Sequence, residues 1–140
     1  MTNFQIIKKW LISLGSPPLF FMWASKFLSW FYPISFLLLM VGLIWGIGFA
    51  PPDYKQGEVY RIIFIHVPSA ILGQSVYLMM AVSGSICLIW RAKLAGMFLR
   101  SAAPLGASFT LIALVSGAVW GKPTWGTWWV WDARLTSTLI

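Results

Sequence analysis

Three long apolar runs, separated by short clusters of basic and polar residues, organise this chain. Crossing roughly 30 Å of hydrocarbon at about 1.5 Å per residue takes about 20 residues in a helix. That length is met from about Trp30 to Ala50, from about Ile62 to Trp90 and from about Ser101 to Trp120. The pattern predicts an all-α, polytopic transmembrane helix bundle, with residues 1–140 forming one integral membrane domain. Its three full spans lie near 30–50, 62–90 and 101–120. Pro33 then falls in the opening turn of the first span, where its missing N–H costs nothing.

Residues 1–28 precede the first span. Within them Phe4–Leu14 sets Lys8 and Lys9 beside bulky apolar side chains over a stretch too short to cross a bilayer. An interfacial helix is expected there, ended by Gly15-Ser16-Pro17-Pro18. No short apolar stretch with a small-residue cleavage site follows, so no removable signal peptide is read. At the other end, the residues after Asp132 open a fourth helix. Eight residues cover only about 12 Å, and a carboxylate ending partway into lipid is costly. The chain therefore reads as C-terminally truncated within its fourth helix, the alternative being a short helix lying flat at the interface.

Composition sharpens the class. The chain is 59% hydrophobic and only 9% charged, against about 25% charged in soluble domains, too little charge to cover a water-facing surface. The net charge of +7 would suggest nucleic acid in a soluble protein. Here the basic residues sit at the ends of apolar runs, where they set topology and meet anionic headgroups of the lipid bilayer, so no nucleic-acid partner is expected. Lys8, Lys9 and Lys26 precede the first span and Arg91, Lys93 and Arg100 follow the second, in both cases without acids. By the positive-inside rule the N-terminus is inside, and the loops 51–61 and 120–134 are outside. The single cysteine, Cys87, lies in an apolar run and reads as a packed small hydrophobe.

The third loop is unusual. Trp120, Trp125, Trp128, Trp129 and Trp131 fall within twelve residues, and Gly121, Pro123 and Gly126 are expected to keep the segment from being one regular helix. One or two tryptophans anchor a span at the headgroup level; five exceed that need. Indole faces stack on flat ligands, each pair contributing about 0.5–1.5 kcal/mol beyond area burial. A porphyrin, a quinone or a sugar ring would suit. Asp132 is placed to cap the fourth helix. Arg134 and Lys122 are free to pair with ligand carboxylates or to reach headgroups.

His66 is the lone histidine, set in an apolar run just ahead of Pro68. Either the helix kinks at Pro68 or it begins there, leaving His66 at its mouth. In a continuous helix Ser69, Ala70, Gly73 and Tyr77 share its face, a mostly small stripe that packs closely or leaves room for a ligand. The imidazole can bond a backbone carbonyl or ligate a metal; the residues alone leave both open.

The segment WGKPTWGTWWVWDARLTS, residues 120–137, closely resembles the tryptophan-rich WWD signature of the heme-handling proteins of cytochrome c maturation. With the early histidine in IFIHVPSA and the short run of spans, the chain from about Trp30 onward is similar to the heme exporter protein C (CcmC) family. The resemblance implies heme b held at the periplasmic face of a bacterial inner membrane. Trp120, Trp125, Trp128, Trp129, Trp131 and Asp132 would form its platform, and His66 would ligate the iron. It further implies transfer to a membrane-anchored periplasmic heme chaperone, alongside ABC-type transporter subunits and a small single-span subunit. Family members continue into further spans and carry a second outer-face histidine, whereas this chain has one. No nucleophile–base pair, Cys-x-x-Cys or phosphate-cradling glycine loop is present in the sequence, so a non-enzymatic role is expected. The competing expectations are a quinone or lipid-linked sugar on the tryptophan loop, or a protein partner docked there.

Overall fold

The computed structural model describes Gln5 and residues 16–140, and among them it is helical with no strand. Helix α1 spans Pro17–Leu43 and passes into a π-helical turn, Ile44–Phe49. A short loop and a 3-10 turn, Glu58–Ile62, lead into α2, Ile63–Trp90. Helix α3 spans Lys93–Trp125, and a final short helix, α4, spans Ala133–Leu139. Three continuous helical stretches, Pro17–Phe49, Glu58–Trp90 and Lys93–Trp125, are long and apolar enough to cross a membrane, each with 33 residues. At about 1.5 Å per residue each extends about 50 Å, well beyond the roughly 30 Å of hydrocarbon.

The helices outrun the apolar runs that announced them. Helix α1 begins at Pro17, with the Pro17-Pro18 pair at its first positions, rather than near Trp30. Pro33 is therefore interior to the helix, where it forfeits one backbone bond. Helix α3 begins at Lys93 rather than near Ser101. The reason is the same in both: Lys26, Lys93 and Arg100 are good helix formers whose long stems carry the charge away from the apolar zone. Charge marks where lipid ends, not where the helix ends. The interfacial helix expected over Phe4–Leu14 lies, Gln5 apart, outside the described residues.

Helices α2 and α3 form an antiparallel hairpin joined only by Arg91 and Ala92, Arg91 supplying the left-handed turn at φ 51°. Their seam is built on small residues, as expected where apolar burial gives no drive to associate in lipid. A Cβ at Gly73 would lie 3.2 Å from Thr110 Oγ1, and one at Gly106 would lie 3.0 Å from Val76 Cγ1. By contrast α1 buries none of its side chains in the described structure. Its C-terminal end is tied to the hairpin by Arg61, whose guanidinium donates to the carbonyls of Ile47 and Ala50, both at 2.9 Å, and pairs with Glu58 at 2.9 Å. Those carbonyls have lost helical partners, and a charged donor is a favourable replacement.

The antiparallel hairpin brings the start of α2 and the end of α3 to one end of the bundle. The loop 51–57 and the tryptophan segment meet there.

Candidate functional site

Helix α2 runs unbroken through Pro68, so His66 stands in its first turn rather than before it. Ser69, Gly73 and Val76 are buried against α3. At 100° per residue this row is rotated roughly 50° from the line through His66, which leaves His66 at the rim of the seam, half-buried. Tyr77, expected to share the packed face, is instead 76% exposed, because Val76 occupies the seam at that level.

The imidazole is fixed by α3. Its Nδ1 lies 3.0 Å from the carbonyl oxygen of Ala113 and 3.2 Å from Ser116 Oγ. A carbonyl can only accept, so Nδ1 carries a proton, and in the neutral ring Nε2 then keeps its lone pair. This is an assignment from the bonding pattern. It gives the arrangement typical of a metal-ligating histidine, whose other ring nitrogen donates to a carbonyl. The Ser116 hydroxyl donates to the Ile112 carbonyl at 2.6 Å, which turns an oxygen lone pair toward the ring. Gly117 permits the approach: a Cβ there would stand 2.9 Å from His66 Cε1.

Trp120, one turn beyond Gly117, packs against His66 with ring centroids 5.6 Å apart and planes at 70°. Its indole N–H donates to Gln56 Oε1 at 2.8 Å. Gln56 is held in turn by Asp53, whose Oδ1 accepts from the backbone N–H groups of Gln56, at 2.8 Å, and Lys55, at 2.9 Å. Those bonds hold the Asp53 carboxyl below the usual carboxylate range, the Gln56 bond foremost.

The tryptophan segment divides in two. Gly121 and Pro123 do not interrupt the helix as expected: α3 continues to Trp125 and ends at Gly126, whose φ of 82° a side chain would resist. Thus Trp120 and Trp125 are helical, whereas Trp128, Trp129 and Trp131 lie on irregular, non-helical backbone. The Thr127 hydroxyl donates to the Trp129 carbonyl at 2.9 Å and shapes that stretch. Asp132 caps α4, accepting from the Leu135 N–H at 2.7 Å, and pairs with the exposed Arg134 at 3.3 Å. Lys122 is engaged locally, donating to the Gly126 carbonyl at 3.0 Å.

Together these elements enclose a cavity of about 470 Å³, within the roughly 300–1,000 Å³ of small-molecule and cofactor sites. His66, Trp120, Trp125, Trp128, Trp129 and Asp132 all line it, as does Arg134. Trp131 does not: it stands 75% exposed, edge-on to Trp129 at a centroid distance of 5.6 Å. The indole N–H of Trp129 is buried and has no acceptor among the described residues.

Residues 10–140 match the family model described as Heme exporter protein C. The chain belongs to that family. It is 52% identical over 132 residues to the heme exporter protein C of Escherichia coli (strain K12), covering 94% of this chain and 54% of that protein. The counterpart from Haemophilus influenzae is 46% identical over the same shares of each. That of Bradyrhizobium diazoefficiens is 45% identical over 130 residues, covering 93% of this chain and 49% of the relative. The chain thus spans about half the length of the curated relatives it matches.

One wall of the cavity is made of side chains with no reactive chemistry of their own. Thr110, Ala113, Leu114, Gly117, Ala118 and Gly121 line it from α3. They recur at three- and four-residue spacing over about 16 Å of helix, and five of the six are small. That periodic run of small side chains is visible in the sequence. Gln56 had no comparable signal.

Proposed function

We propose that this end of the bundle binds heme at the outer face of a bacterial inner membrane and presents it for cytochrome c maturation. The observation that carries the reading is the His66 imidazole. Its Nδ1–H is committed to the Ala113 carbonyl, its Nε2 is left with a lone pair, and it borders a cavity walled by four indoles. A porphyrin supplies its own equatorial nitrogens, so a single well-oriented imidazole is a sufficient axial ligand from this portion of the chain. Iron ligation is the chemistry the bound group brings; this chain's residues orient it and shield it. Trp125, Trp128 and Trp129 offer stacking faces in the wall, with Trp120 beside His66. Arg134, exposed beside the cavity, suits a propionate, since its Asp132 pair is too solvated to hold it strongly.

The ligand is b-type heme, held without covalent attachment. In this reading the N-terminus is on the cytoplasmic side, and the loop 51–57 and the tryptophan segment are periplasmic. The heme is passed to a membrane-anchored periplasmic chaperone, alongside ABC-type transporter subunits and a small single-span subunit. The role is binding and transfer, not catalysis, and the second axial ligand comes from outside these residues. A quinone would be recognised through donors to its carbonyls, whereas the free Nε2 of His66 is an acceptor and favours a metal.

The test is an absorbance spectrum of the protein purified in mild detergent with heme supplied, recorded beside His66→Ala. A Soret band in the wild type that shifts or bleaches in His66→Ala is expected. A wild type that takes up no heme from an excess would sink the reading and favour protein docking.

A further inference from the structure

Two contacts from α3 bear on the plane of the His66 ring, and one of them is itself held by a residue outside that helix. The Ala113 carbonyl holds Nδ1 at 3.0 Å. The second is the Trp120 indole, packed edge-on at 5.6 Å and 70°. An indole on a helix can turn about its side-chain torsions, so something must hold it in that pose. The only hydrogen bond its N–H donates in the described structure goes to a residue 64 positions away: Gln56 Oε1 accepts it at 2.8 Å. Gln56 is not loosely placed. Its own backbone N–H is held by Asp53 Oδ1 at 2.8 Å. The Asp53–Gly57 backbone pair closes the turn, with N–H to O distances of 2.8 and 3.2 Å, and Gly57 takes a φ of 59°.

We infer that Gln56 is a positioning residue, which holds the Trp120 indole against His66 and so orients the imidazole for its ligand. The inference rests on the proposed heme site for its consequence, but the coupling itself is a property of the protein alone. Gln56 touches Trp120 and acts on His66 only through it. The Gln56–Trp120 bond is exposed, so its contribution to folding is small and its effect is on geometry. A loop outside the cavity thereby tunes the ligand within it, and loosening the 51–57 turn would release the imidazole plane without removing a ligand atom.

The single histidine makes the test direct, because selective isotope labelling of histidine yields one imidazole signal set. In detergent-solubilised protein without heme, Gln56→Leu should move the Cε1–H resonance of His66 in the same direction as Trp120→Leu does, through the lost ring current. Gln56→Glu, which keeps an acceptor in reach, should restore it. With heme supplied, Gln56→Leu should weaken retention about two- to tenfold, the range of one net hydrogen bond, and shift the ferric-heme EPR signal. Gln56→Glu should recover both. A His66 resonance unmoved by Gln56→Leu, or moved equally by Gln56→Glu, would overturn the inference. So would a moved resonance with unchanged heme retention and EPR signal. If the wild type bound no heme while the resonance still moved, the proposed function would fail and the positioning by Gln56 would stand.

Discussion

Gly117 and His66 meet across the α2–α3 seam so closely that a Cβ on Gly117 would stand 2.9 Å from Cε1 and 3.3 Å from Nδ1 of the imidazole. The ring cannot swing clear without giving up the Ala113 carbonyl, since that bond and the contact lie on the same helix face. Gly117→Ala should therefore displace the ring rather than merely crowd it. Overpacking of this kind costs about 1–3 kcal/mol, and a misplacement approaching 1 Å can cost about 100-fold in function. The expected result is a lower unfolding temperature together with an altered Soret band. Gly106→Ala, crowding Val76 elsewhere in the seam, should lower the unfolding temperature and leave the heme spectrum unchanged.

The split of the tryptophan segment gives a second expectation. Trp128 lines the cavity and Trp131 does not, although both are largely exposed. Stacking beyond area burial is worth about 0.5–1.5 kcal/mol, so Trp128→Ala should weaken heme retention at least about two- to tenfold. Trp131→Ala should weaken it less, acting only by unsupporting Trp129. Competition of bound heme with an excess of apomyoglobin, timed for each variant, measures the order. Equal losses, or a larger loss at Trp131, would mean that heme sits on the outer side of the segment.

Much of this arrangement was legible and the remainder fails for definable reasons. The apolar runs announced the three long helices, and Asp132 announced the cap that it makes. The helix ends were not legible, because Lys26, Lys93 and Arg100 are compatible with continued helix. Proline misled as punctuation at Pro123, which lies inside α3, and Pro68, open between a kink and a helix start, also proves interior to its helix. In lipid an interrupted helix leaves backbone groups with no water to satisfy them, so the helix persists through a proline that would end it elsewhere. The cavity itself depends on His66 sitting about 50° off the packed row of α2, which a face count centred on His66 could not reveal. Gln56 was invisible because its role exists only once residues 64 apart in sequence are neighbours.

Asp132 supports the loop from its far end. Its carboxylate caps α4 through the Leu135 N–H at 2.7 Å, and losing such a cap costs about 0.5–2 kcal/mol. The exposed pair with Arg134 adds little. Asp132→Ala should then lower thermal stability modestly and weaken heme retention by releasing the 128–131 segment. Asp132→Asn keeps the capping oxygen and should restore most of both. If Asn failed where Ala failed, the carboxylate charge, and not the cap, would be the operative feature.

Among the described residues Asp53 has a lowered carboxyl pKa, and the sign of that shift determines where acid acts. Backbone N–H bonds from Gln56 and then Lys55 stabilise the carboxylate, so its folded pKa lies below the ordinary aspartate value of about 3.9. A depressed carboxyl pKa contributes stability that is complete above the unfolded value and disappears as pH falls through the lower folded one. The 51–57 turn should thus be indifferent to pH between about 5 and 8 and open only in stronger acid. As it opens, Gln56 leaves Trp120, so the indole N–H resonance of Trp120 should move in acid toward its position in Gln56→Leu. Asp53→Ala should show the moved resonance already at neutral pH. Asp53→Asn, with a neutral acceptor in the same place, should keep the native resonance and lose this turn's acid transition. An Asp53→Ala protein that kept the native Trp120 resonance at neutral pH, with its helices folded by far-UV circular dichroism, would show that the Asp53 turn does not hold Gln56 in place.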